Sequence, residues 1–457
     1  MLLHTEDARI PSGTAGSQTP PSHHPRKRWF LDRGAMRKGA ALAGLATLAV
    51  SAQALAAGFM IRENSAIAVG TVYAGNGSRA DAASTVFNNP AGMMRLTDDE
   101  VEGGIGVILP SIKFNGSSSA GGKPVSGVND GNAGRVAFVP NLSWVFGITD
   151  RLKGGIAVTV PFGNSVAYDR AWSGRYLNLK TGAVTADINP SIAYRVNDVL
   201  SIGAGVSAQY LRLDVTSTIP QFVIFGPAAP DAFYRFKADD WAFGFNLGAL
   251  IELPDATRIG LTYRSGIDHR IKGNLNFTGA SPLLGLVNGS AASDVNLPAT
   301  SGFSITKDVT ADLSLSADVQ FTQWNVFKRV VIESRNAPFV FDQEYEDSWL
   351  VSVGGVFRLN DVWTLRGGLG WDQTPITDRF RSVSLPDEDR YLVGLGFGYK
   401  LSDAVSLDGG YQHSFAAAHA DMNKSFNNTD LITHAVVLNG KYNVSVDVVA
   451  FSIRYKY

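Results

Sequence analysis

The sequence predicts an all-β fold: a transmembrane antiparallel β-barrel of 14 strands with a small N-terminal hatch in its lumen. Three observations carry this. Val449, Phe451, Ile453, Tyr455 and Tyr457 share one face of the last strand, while Ala450, Ser452, Arg454 and Lys456 share the other. Segments of alternating polarity are joined by short and long connections in turn. An export signal precedes them all.

Composition sets the frame. The chain has 457 residues, 18% of them charged, and a net charge of −1, which excludes the basic surface of a nucleic-acid partner. A mean hydropathy of +0.02 is too low for a bundle of membrane helices. With 48 glycines and 10% aromatic residues, the composition suits a β-rich chain with many tight turns. There is no cysteine, so disulfide frameworks and thiolate metal sites are excluded, and no cofactor or metal is expected.

From the N-terminus, residues 1–35 lack periodicity and read as an extension, with Met36 the expected true start. Residues 36–56 form a signal peptide: Arg37 and Lys38, an Ala- and Gly-rich apolar stretch, then Ala54-Leu55-Ala56. Cleavage after Ala56 leaves Ala57-Gly58-Phe59 at the mature start. Residues 57–98 break the alternation, with Gly70, Gly75, Gly77 and Asn88-Asn89-Pro90-Ala91-Gly92, and are expected to fold into the lumen as the hatch.

Residues 99–457 form the barrel. Six polar turns contain Asp150, Asp198, Asp255, Asp308, Asp361 and Asp403. Seven long connections are expected at 111–133, 163–182, 215–239, 272–294, 327–346, 372–389 and 416–444, so the count is 14 strands with both ends on the short-turn side. Leu313, Leu315, Ala317, Val319 and Phe321 are expected to face lipid, as are Val393, Leu395, Phe397 and Tyr399, whose neighbours Gly394, Gly396 and Gly398 have no nucleotide-loop spacing. Lipid cannot satisfy an open strand edge, so the sheet must close.

The residues also carry a resemblance. The mature start Ala57-Gly58-Phe59, the Asn89-Pro90-Ala91 motif, and the stretches Ile188–Tyr210, Trp241–Gly273 and Trp371–Gly396 together resemble the FadL family of outer-membrane long-chain fatty-acid and aromatic-hydrocarbon transporters. The resemblance covers essentially the whole mature chain. It implies a hatch-closed barrel in the Gram-negative outer membrane, made by the barrel assembly machinery, surrounded by lipid and lipopolysaccharide, and acting as a monomer. It also implies passive transport of a hydrophobic small molecule: capture outside, an internal apolar pocket, hatch movement, and sideways exit at a kinked third strand.

Candidate site residues follow. Pro161-Phe162-Gly163 interrupts the third strand, because proline removes a ladder donor and glycine weakens a strand interior. They mark either the lateral opening or a strand ending into its loop. Phe222, Ile224 and Phe225, with Leu283, Leu284 and Leu286, make two long loops apolar, fit for capturing cargo or for burying one another. Phe59 is expected at the hatch tip, lining or blocking the pocket. The positions where the family's fatty-acid transporters bind a carboxylate with Arg and Lys align with Ser217 and Phe341; neither is cationic, although Arg212 and Arg335 lie nearby. Burying an unpaired carboxylate costs several kcal/mol, so these positions favour neutral cargo. His269, His413 and His434 are expected near loops, with no serine at nucleophile spacing, which speaks against an outer-membrane phospholipase. A general porin or a structural or adhesive barrel is the alternative.

Overall fold

The computed structural model describes residues 58–129, 131–426 and 436–457. The expected extension (1–35), the signal peptide (36–56), Ala57 and His434 lie outside them. A closed antiparallel barrel of 14 strands encloses an inner segment.

In chain order the strands are β1 (Glu100–Ala120), β2 (Ala137–Thr149), β3 (Leu152–Thr159, then Gly163–Ala167), β4 (Lys180–Arg195), β5 (Leu200–Ile219), β6 (Ala232–Glu252) and β7 (Thr257–Arg264, then Ile267–Thr278). There follow β8 (Gly289–Leu297, then Thr300–Asp308), β9 (Leu313–Thr322), β10 (Ser348–Arg358), β11 (Trp363–Asp372), β12 (Arg390–Lys400), β13 (Val405–Ala416) and β14 (Val436–Lys456). Each pairs with the next, and β14 pairs with β1 from Glu100↔Lys456 to Ala120↔Val436, which leaves no edge. The terminal Tyr457 hydroxyl accepts a hydrogen bond from Trp144 Nε1 on β2 at 2.7 Å, tying the chain end across the seam.

The two faces follow the period of two. On β14, Phe451, Ile453 and Tyr455 are more than half exposed, while Ala450 and Ser452 are buried. Such a continuous apolar exterior would be a liability in water; lipid solvates it. Trp241, Trp349, Tyr391 and Phe415 rim this belt toward the long loops, and Trp144, Tyr194, Trp363 and Tyr455 toward the short turns. Among the described residues, no helix is long and apolar enough to cross a membrane.

Three expectations are corrected. The ladders run on into the connections expected at 111–133, 215–239 and 272–294, where the alternation continues in the reverse sense: Phe114, Phe236 and Leu275 face the interior, and Lys113, Lys237 and Asn274 face water. The connection at 327–346 contains a hairpin, Arg329–Ile332 with Phe339–Asp342. His269 stands well inside β7 rather than near a loop, whereas His413 stands near the end of β13, beside a long connection.

The inner segment contains α1 (Ala66–Gly70), α2 (Thr85–Asn88) and a 3₁₀ turn (Pro90–Arg95). Ser65 caps α1 by accepting the Ala68 N–H, and Pro90 starts the 3₁₀ turn where its missing N–H costs nothing. Glycines in the wall let this backbone lie against the strands. A Cβ on Gly368 would stand 2.2 Å from the Thr71 carbonyl oxygen, and one on Gly410 2.3 Å from that of Ala66. On the opposite wall, a Cβ on Gly248 would stand 2.0 Å from Asn89 Oδ1.

Asn89 fastens that side. Its Nδ2 donates to the carbonyls of Gly77 (2.6 Å) and of Ala249 on β6 (3.0 Å), and its Oδ1 accepts the Ala91 N–H (3.1 Å). All three bonds are sheltered, so Asn89→Ala is expected to cost about 1–3 kcal/mol. Limited proteolysis in detergent should then cut within residues 58–98 faster than in the native chain.

Candidate functional site

Above the inner segment, an apolar cavity of about 580 Å³ is walled by Leu211, Leu213 and Val215 of β5, Tyr234 of β6, the 329–342 hairpin and the connection after β11. Its size suits one elongated small molecule. Phe59 forms the floor. Its ring lies 4.9 Å from Trp324, 5.3 Å from Phe327 and 5.9 Å from Phe162, centroid to centroid.

Of the two positions aligned with carboxylate-binding cations, Phe341 lines the cavity. Ser217 is buried behind the lining, where its hydroxyl donates to the Arg175 carbonyl (3.3 Å). Arg212 is exposed on the outer face of β5 and Arg335 is exposed at the hairpin turn, so neither reaches the cavity. Among the described residues, the one Lys or Arg on the lining is Arg379, exposed at the rim. No spacing or motif in the sequence marks it.

The apolar loops meet at the mouth. Gln221 joins them: its Nε2 donates to the Gly279 carbonyl (2.9 Å) and its Oε1 accepts the Ser281 N–H (2.6 Å). Leu283 is 83% exposed, and Ile224 and Phe225 are also exposed. Phe222, Leu284 and Leu286 instead pack partly against the core. Capture surface and mutual burial thus coexist here.

At Pro161-Phe162-Gly163, β3 bends away from β2. Their ladder stops at Leu142↔Val158 and resumes at the single bridge Gly134↔Val166, leaving residues 135–141 of one chain segment unpaired with 159–165 of the other. The freed edge of β3 pairs with the inner segment. The Gly163 N–H donates to the Phe59 carbonyl and the Ile61 N–H to the Pro161 carbonyl, both at 2.8 Å. Phe59, which floors the cavity, therefore also pairs with the wall break.

Buried charges hold those residues in place. Asp387 Oδ2 accepts the Gly58 N–H (3.0 Å) and the Thr374 hydroxyl (2.8 Å). Burial pushes the Asp387 carboxyl above its ordinary pKa, against the pull of nearby Arg390. Arg390 also pairs with Asp372 (3.1 Å), which pairs with Arg62 (3.3 Å). Arg62 and Asp387 thus anchor the inner segment on both sides of Phe59. In the sequence Asp372, Asp387 and Arg390 stand out only as part of the family-like stretch Trp371–Gly396, and no local pattern marks this role.

Comparison with known proteins agrees with the architecture. A sequence model of the family described as "Outer membrane protein transport protein (OMPP1/FadL/TodX)" matches residues 47–457. The chain is 28% identical over 402 residues to the long-chain fatty acid transport protein of Escherichia coli O6:H1, covering 81% of this chain and 90% of that protein. It is 29% identical over 418 residues to outer membrane protein P1 of Haemophilus influenzae, covering 81% and 89%. The crystal structure of a Pseudomonas aeruginosa FadL homologue superposes with a TM-score of 0.80 at 26% identity, covering 88% of this chain and 100% of that one. The toluene transporter TodX of Pseudomonas putida shares the fold, with a TM-score of 0.63 at 15% identity, covering 86% and 98%.

Proposed function

The chain belongs to the outer membrane transport protein family OMPP1/FadL/TodX, and we propose that it is a passive uptake channel for long-chain hydrophobic molecules. Cargo lands on the apolar loops, fills the 580 Å³ cavity, displaces Phe59 and leaves sideways where β3 bends from β2. The inner segment is the hatch. The observation that carries the reading is the double role of the hatch start: Phe59 floors the cavity, and Phe59 and Ile61 pair with the broken edge of β3.

Magnitudes favour a long cargo. Expelling Phe59 forfeits about 2–3 kcal/mol of apolar burial, and each methylene that replaces it returns about 0.8 kcal/mol. Roughly three or four buried methylenes offset the ring, and the Asp387 bond to Gly58 adds about 1.5–3 kcal/mol to overcome. A chain of many methylenes meets that demand; a single small ring meets less of it. Arg379 at the rim can hold a carboxylate without burying it, which makes a long-chain fatty acid the first reading. The second, a neutral hydrocarbon, draws on the uncharged Phe341 and Ser217 deeper in.

The test is equilibrium binding of hexadecanoate and hexadecane to the purified barrel, native and Arg379→Ala. Preference for the acid, lost in the variant, is the expected result. Equal or stronger binding of hexadecane would establish the hydrocarbon reading. Binding of neither would return the chain to a porin or structural role.

A further inference from the structure

The barrel wall has a second break, between β6 and β7. The β6–β7 ladder runs up to Asn246↔Arg264 and begins again at Asp239↔Lys272. Between these pairs lie residues 240–245 on β6 and 265–271 on β7, so β7 carries one residue more and bulges. The cause is legible in two positions at one level: Gly266 splits β7, and Pro298 splits β8 beside it. From Trp241 to Leu247, the outer face of β6 is exposed and apolar, with Phe243 76% exposed, so the break lies within the lipid belt.

Unpaired backbone at that depth costs several kcal/mol per group unless it lines a cavity or finds other partners. Side chains and one backbone bond supply some of these partners. Ser265 Oγ accepts the Phe245 N–H (2.9 Å), and the Ser265 N–H donates to the Phe245 carbonyl (2.9 Å). Asp240 Oδ2 accepts the Arg270 N–H (3.2 Å) and lies 3.4 Å from His269 Nδ1. A ladder six residues long is thus replaced by a few bonds, most of them to side chains, which rotate without moving a strand.

The break is also connected. A second cavity, of about 130 Å³, is bounded by Pro161 and Phe162 at the β3 break and by Ser265, Ile267 and Pro298 at this one. Met60 to Arg62 line it, whereas Phe59 lines the upper cavity, so the start of the hatch forms the partition between the two. Whatever passes that partition meets both breaks.

We propose that the β6–β7 break is a second lateral opening, through which a long apolar chain passes from the lower cavity into the surrounding membrane. The inference rests on the uptake reading above and adds a route to it. Gly244→Cys with Ile267→Cys tests it. A Cβ on Gly244 would lie 2.8 Å from Ile267 Cγ1, where the new sulfur stands, and the chain has no other cysteine. Uptake of hexadecanoate by cells carrying this pair is measured oxidised and reduced, with and without Gly163→Trp at the β3 break. In the Gly163→Trp background, residual uptake should be lost on oxidation and return with dithiothreitol, which also shows that the barrel is folded. If the reduced pair is itself inactive, Ser265→Trp fills the same break without a covalent bond. Uptake indifferent to oxidation or to Ser265→Trp overturns the second opening, as does a Gly163→Trp protein with no residual uptake. Native protein that takes up no hexadecanoate would instead overturn the uptake reading itself.

Discussion

Replacing Gly163 with tryptophan is expected to lower uptake of long-chain cargo about tenfold, equivalent to about 1.4 kcal/mol in the barrier, while leaving cargo binding intact. Phe162 packs on Phe59 and Trp324, and Asn164 lines the upper cavity, so strand alternation turns residue 163 to the outer face of β3, beside the break from β2. Continuing the register of the flanking pairs sets Gly163 opposite Ala137, where both residues are buried. An indole there fills the gap with no change to the cavity lining. The two measurements separate the roles: equilibrium binding to the purified protein reports the cavity, and cellular uptake reports the passage. Unchanged uptake in a folded Gly163→Trp barrel would remove the β3 exit, and lost binding would show that the residue serves the cavity instead.

How much of this was legible beforehand depended on the periodicity of the signal. In β9, β12 and β14 the apolar residues recur at every second position because lipid lies on one side and the lumen on the other, so strand number and facing could be read directly. The ends of the strands could not. Above the membrane the alternation continues in the reverse sense, with Tyr234, Phe236, Leu275 and Phe277 facing the interior and Arg235, Lys237, Asn274 and Asn276 facing water, so the stretches lose the apolar outer row that marks a spanning strand. Pro161 and Gly163 announced the β3 break, and Gly266 and Pro298 carry the same chemistry, yet no long loop follows them to draw notice. The site was harder still. Phe59 was placed by its position in the chain. Arg379 and the Asp387–Arg390–Asp372–Arg62 chain bring together residues far apart in sequence, and no local pattern encodes such contacts.

That charge chain is where a single substitution should have the largest effect on the closed state. Asp387→Ala removes the acceptor of the Gly58 N–H and one of the two carboxylates beside the buried Arg390, which keeps Asp372 at 3.1 Å. Breaking one partner of a buried ion pair costs about 3–5 kcal/mol, comparable with the roughly 2–3 kcal/mol that burial of the Phe59 ring supplies. The start of the hatch should therefore leave its aromatic cage without cargo. In planar bilayers the expected result is a resting conductance that the native protein lacks, together with faster entry of small dyes into cells. Asp387→Asn keeps an acceptor for Gly58 but not the charge facing Arg390, and should fall between the two. The Asp387 side chain bonds Gly58 and Thr374 and faces Arg390 at the start of β12, outside the lipid-facing belt, so the barrel should still resist heat in detergent. A tight, non-conducting Asp387→Ala channel with native cargo affinity would show that Phe59 is held by the aromatic cage alone, and that the charges serve the connection after β11 rather than the hatch.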